Sequence, residues 1–150
     1  MSTYLWLKLF HVAAAIVAVG ANVTYFVWLR RAKGDPGQNA EVLRGIKTTD
    51  TWLANPAYVV LLVTGVLMVL DAGLGFTTFW ILAAIILFVV MGALAGILFS
   101  PALRRQTELA ATGSESDGYE AAARRTTVTG LVTMVPIAVI LYLMVMKPTL

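Results

Sequence analysis

The side chain best suited to chemistry is His11, the only histidine among the 150 residues. It lies in a long apolar segment, about 9 Å inward from Leu5 at the helical rise of 1.5 Å per residue. A neutral imidazole can bind haem iron or another metal through a ring nitrogen, or it can form a hydrogen bond. Because an unpartnered polar group is costly in hydrocarbon, we expect His11 to have one of these two roles.

Asn22 lies on the same helical face as His11. Eleven steps of roughly 100° amount to three turns plus about 20°, so the two side chains nearly align. Alanines occupy the face between them, and Tyr25 continues it. Polar groups inside a membrane avoid lipid, so this face should point into a helix bundle.

Haem b is the cofactor that fits this face best, because membrane four-helix bundles can hold a haem against an axial imidazole. Lys8 lies one turn further out, where its ammonium could pair with the haem propionates. The predicted cofactor site is therefore His11 as the iron ligand, with Asn22 and Lys8. One histidine cannot supply both axial ligands. The second axial position of the iron would be filled by a methionine, water or a second chain, or it would stay open.

The alternative is that His11 and Asn22 form interhelical hydrogen bonds and have no chemical role. In that case we expect the partner of His11 on the second or fourth apolar segment, with Tyr142 as one example. The polar face would then serve only to pack the helices of the bundle.

The composition indicates that these residues are positioned by membrane-spanning helices. Hydrophobic residues make up 59% of the chain and charged residues only 13%, against about half and about a quarter in soluble domains. Four apolar runs predict helices over about residues 4–29, 53–70, 79–99 and 128–146, each close to the ~17–25 residues that span a bilayer. We therefore predict an all-α, up-down-up-down four-helix membrane bundle, with residues 1–150 as a single domain.

The basic residues predict the orientation of this bundle. Of the eleven lysines and arginines, nine lie in two segments, 30–51 and 100–127. The positive-inside rule makes these the cytoplasmic loops, with both termini outside. Short helices are expected within them at 41–48, 102–111 and 119–125, with a turn at 34–37 and a flexible tip at 113–118.

Small residues on the helices predict close packing. Gly92 and Gly96 form a GxxxG pattern, which lets two helices approach closely either within the bundle or across a homodimer interface. Gly20 and Gly65 are further packing candidates. Pro136 should kink the last helix, because it removes a backbone hydrogen bond.

Several function classes find no support in the sequence. No ionisable residue lies near the predicted bilayer centre, which argues against an ion-driven transporter or proton pump. No nucleophile–base pair or phosphate-binding loop is recognisable, so no enzymatic activity is predicted. No basic stripe with interleaved aromatics indicates nucleic-acid binding, and the absence of cysteine excludes disulfides and thiolate metal sites.

Short motifs in the first two helices resemble a widespread bacterial family of small predicted integral membrane proteins of unknown function. The first reads Trp6-Leu7-Lys8-Leu9-Phe10-His11, and the second contains Asn55-Pro56 and Thr64-Gly65. The opening motif is also similar to the membrane domain of copper-resistance proteins and to the haem-b-binding type of bacterial protoporphyrinogen oxidase. The oxidase resemblance implies that His11 ligates haem. However, the oxidases use a lysine in a later helix, and helices two to four of this chain lack one.

The resemblance implies a multi-pass protein of the bacterial inner membrane. Three functions stay open from the sequence: a binding protein for haem or another apolar ligand at the His11 face, an accessory subunit of a larger membrane complex, and a small oligomeric permease or channel.

Overall fold

The computed structural model describes residues 3–31, 36–112 and 117–148. All regular elements in these ranges are helices, and four continuous stretches are long and apolar enough to cross a membrane. The α-helices are α1 (Thr3–Arg31), α2 (Pro36–Thr49), α3 (Asn55–Asp71), α4 (Phe79–Leu94), α5 (Ser100–Ala111) and α6 (Asp117–Met146). The prediction of an all-α protein with four spans is confirmed.

Two short π-helical segments join these helices into longer rods. Asp50–Ala54 links α2 to α3, and Ala95–Phe99 links α4 to α5. Each resulting span, Asn39–Asp71 and Phe79–Ala111, has 33 residues. At 1.5 Å per residue this is about 50 Å, well beyond the ~30 Å hydrocarbon core, so the polar α2 and α5 must extend out of the membrane.

The four spans pack as two pairs. The first span, α1, packs against α3, and α4 packs against α6. Between the pairs, the rings of Tyr58 and Phe88 make an edge contact with centroids 6.1 Å apart. Each pair consists of two spans that follow one another along the chain.

The outward surface of the spans is strongly apolar. Large side chains such as Ile16, Val89 and Val145 are 68%, 65% and 77% exposed. A soluble protein rarely exposes so much contiguous apolar surface. Lipid is therefore the solvent that this surface requires.

Beyond the apolar parts of the spans, α2, α5 and the first turns of α6 form a small helical layer. Leu43 of α2 is fully buried and clusters with Leu29 of α1 and Leu103 of α5. The two segments predicted as cytoplasmic loops are thus mainly helical where they are described. The turn predicted at 34–37 and the tip predicted at 113–118 lie partly outside the described residues. Where they are described, the prediction is wrong, because residues 36 and 37 begin α2 and residues 117 and 118 begin α6.

The predicted packing residues have different surroundings. A Cβ atom added at Gly20, Gly92 or Gly96 would meet no other atom within 4 Å. The GxxxG face therefore points away from the bundle, so that its predicted packing requires a helix from outside the chain. Pro136 is buried within α6.

Gly130 of α6 lies at a close approach between helices. A Cβ atom there would lie 3.3 Å from the ring of Phe99 and 3.4 Å from the ring of Phe26. The two rings come from the second π-helical segment and from α1. Gly130 thus lets aromatic side chains connect the two helix pairs.

Candidate ligand-binding site

The site begins with a hydrogen bond between α1 and α3. The Nδ1 atom of His11 lies 3.0 Å from the hydroxyl oxygen of Thr64. Thr64 is buried and His11 is partly exposed. The predicted interhelical partner is therefore found on the second span and not at Tyr142, which is 57% exposed.

The contacts of the Thr64 hydroxyl favour one tautomer of the imidazole ring. This hydroxyl donates its one proton to the backbone carbonyl of Val60 at 2.6 Å, the shortest of its contacts. The assignment that satisfies both contacts has the hydroxyl oxygen accept from His11, so that Nδ1 is the protonated nitrogen. The backbone carbonyl of Leu61 also interacts with the ring. In this tautomer the lone pair of the neutral ring lies on Nε2.

Gly65 provides the space that the imidazole occupies. A Cβ atom at this position would lie 3.2 Å from Cε1 and 3.6 Å from Nδ1 of His11. The first distance is shorter than an ordinary van der Waals contact, so even alanine would push the ring aside. The pair Thr64-Gly65 therefore both orients and accommodates His11.

A second polar contact joins the same two helices closer to the α2–α5 side. Asn22 donates one hydrogen bond to the hydroxyl of Tyr58 at 2.7 Å and another to the carbonyl of Ala18 at 2.8 Å. Between the two polar contacts, Ala14, Ala18 and Ala57 form a buried cluster. Their small side chains allow the close helix approach that both hydrogen bonds need.

The remaining residues of the predicted face are separate from His11. Tyr25 is only 3% exposed, and its hydroxyl finds no partner within the described residues. It belongs to the cluster that contains Leu43, next to the polar helical layer. Lys8 is exposed near the N-terminal end of α1, with no described contact to His11 or Asn22.

His11 is the only histidine of the chain, and it belongs to no cluster of metal-ligating side chains within the described residues. The described residues contain no group of three or more histidine, cysteine, aspartate or glutamate side chains that could hold an ion. A metal held entirely by protein side chains therefore has no support in that part of the chain. A prosthetic group that carries its own metal would need only the imidazole.

Sequence reasoning identified His11 and Asn22 but missed Thr64 and Tyr58 as their partners. Both partners lie on the second apolar run, where a hydroxyl inside a predicted span is the relevant signal. With two polar residues on one helix, two polar residues on a neighbouring helix are the expected counterparts.

The comparisons with known proteins agree with this architecture. No curated protein and no solved structure matches the chain significantly. A family model described as "Predicted integral membrane protein (DUF2269)" matches residues 5–148, which is nearly the whole chain. The resemblance to a small membrane family of unknown function is therefore confirmed, and the chain belongs to the DUF2269 family of predicted integral membrane proteins.

Proposed function

We propose that this protein binds a haem-type ligand through Nε2 of His11. The observation that carries the proposal is the hydrogen bond from Nδ1 of His11 to Thr64. Histidines that ligate metals usually donate their other ring N–H to a neighbouring acceptor, which fixes the tautomer and makes the ligating nitrogen more basic. Thr64 fills that role here.

Each residue of the site has a distinct part in this proposal. Thr64 holds the proton on Nδ1, and Gly65 keeps the ring in its position. Lys8, on the outer end of α1, supplies the positive charge that acidic substituents of the ligand would need. When bound, haem would supply a one-electron redox centre, and the protein would set its environment.

The proposal places the site in the outer half of the bilayer of a bacterial inner membrane. Basic residues concentrate on the side of α2 and α5, and this supports a cytoplasmic position for that side. His11 lies at the opposite end of the spans from those helices. A ligand at His11 would therefore approach from the outer leaflet.

The test is the absorbance spectrum of protein expressed with ample haem and purified in mild detergent. We expect a Soret band in the wild type and its loss in His11→Ala. Asn22→Ala is the matched control, because it removes the other polar contact between α1 and α3 and leaves the imidazole intact. It should keep the band, and all three proteins should keep their helical circular dichroism.

A wild-type protein without a Soret band would overturn the proposal. The His11–Thr64 contact would then serve helix packing alone. The exposed Gly92 and Gly96 face favours the accessory-subunit function in that case, because it offers a packing surface to a helix of another chain. A stoichiometric membrane partner that co-purifies with the wild type and is lost in Gly96→Leu would support that second function.

A further inference from the structure

We propose that a cavity between α5 and α6 binds the phosphate group of an anionic phospholipid. The cavity has a volume of about 330 Å³. It is lined by Pro101, Ala102, Arg104, Arg105 and Glu108 of α5 and by Arg125 of α6. This site is separate from His11 and independent of any haem ligand.

The cavity lies at the level of the lipid headgroups. Arg104 and Arg105 come five and six residues after Phe99, which ends the third apolar run. Arg125 comes three residues before Val128, which begins the fourth. At 1.5 Å per residue these arginines are about 5–9 Å outside the hydrocarbon. The headgroup zone extends roughly 5–8 Å beyond each side of the hydrocarbon core.

The charges around the cavity favour an anion. Three arginines face one glutamate, so the formal charge of the lining is 3 − 1 = +2. Arg104 donates through Nε to Glu108 at 2.9 Å, which leaves its terminal N–H groups for another acceptor. Arg105 and Arg125 have no ion-pair partner within the part of the chain that the structure describes.

Guanidinium groups at this level suit a phosphate diester. Arginine offers planar pairs of N–H donors that match two phosphate oxygens at once. Basic residues near a membrane surface also attract anionic lipid. The cavity opens where lipid headgroups are concentrated. Its proposed ligand is therefore a membrane phospholipid and not a free phosphate ion.

The test titrates the purified full-length protein with phosphatidylglycerol and measures bound lipid by native mass spectrometry. We expect Arg105→Gln combined with Arg125→Gln to weaken binding about 30-fold, because two direct charge-assisted contacts with the phosphate are lost. Arg44→Gln combined with Arg124→Gln removes the same charge outside the cavity and should weaken binding less than threefold. Phosphatidylcholine should bind at least tenfold more weakly than phosphatidylglycerol, because the arginines repel its choline.

Two further measurements keep the result interpretable. Arg105→Lys combined with Arg125→Lys keeps the charge but loses the paired donors, so its affinity should fall between the wild type and the glutamine variant. If the glutamine variant fails to fold, the lysine variant still tests whether the paired arginine donors bind the lipid phosphate. Equal losses in the cavity and control glutamine pairs would overturn the proposal, as would lysine and wild-type affinities that do not differ. Full displacement of the lipid by millimolar inorganic phosphate would show that the cavity takes free phosphate instead.

Discussion

Replacing Thr64 by valine tests the contact on which the candidate site depends. The substitution keeps the shape of the side chain and removes the oxygen that accepts from His11 at 3.0 Å. Interhelical hydrogen bonds in membrane proteins contribute about 0.6 kcal/mol on average and up to about 1.7 kcal/mol. Because Thr64 is 7% exposed, water cannot readily replace the lost acceptor. We therefore expect Thr64→Val to cost about 1 kcal/mol of unfolding free energy through this bond.

Thr133→Val is a matched control on the fourth span. Thr133 is also 7% exposed, but its hydroxyl donates only to the carbonyl of Gly130 in its own helix, at 2.7 Å. Reversible unfolding in mixed micelles should show a loss about 1 kcal/mol larger for Thr64→Val than for Thr133→Val. In a His11→Ala background this excess should disappear. An excess that persists without the imidazole would refute the proposed pairing of His11 with Thr64.

Three other perturbations test the fold and its packing. Cysteines introduced at Glu120 and Gly75 should react with an impermeant thiol reagent from opposite sides of intact membranes; reaction from one side would contradict the four-span topology. Gly130→Leu should lower the unfolding free energy by about 1–3 kcal/mol because it overfills a contact with two aromatic rings, whereas Gly96→Leu should leave the monomer's stability nearly unchanged. A smaller stability loss in Gly130→Leu than in Gly96→Leu would reverse this assignment. Tyr58→Phe removes an acceptor 2.7 Å from an amide of α1 and should cost about 0.6 kcal/mol; a stability equal to the wild type would mean that the bond contributes nothing.

The helical face of the site could be predicted from sequence, but its partners could not. The shared face of His11 and Asn22 follows from helical geometry alone, because 100° per residue fixes which side chains align. Their contacts with Thr64 and Tyr58 depend on which helices are neighbours and on how far each slides along the other. Those choices depend on packing between residues distant in sequence, which no local pattern records.

The glycines illustrate the same limit. The spacing of Gly92 and Gly96 predicts a face that can pack closely, but the spacing does not say whether that face points inward or outward. Gly130 has only Thr126 at the four-residue spacing and no second glycine, so its sequence signal is weaker than that of GxxxG. Its importance arises from Phe26 and Phe99, which reach it from different spans.

The most direct test of the account is the ¹⁵N NMR spectrum of protein labelled only at histidine. Because the chain has one histidine, the spectrum reports one imidazole without assignment. The hydrogen bond to Thr64 predicts a protonated Nδ1 and an unprotonated Nε2. Haem binding through Nε2 predicts that the Nε2 resonance is strongly shifted or broadened when haem is added. A proton on Nε2, or an Nε2 resonance that haem leaves unchanged, would contradict it.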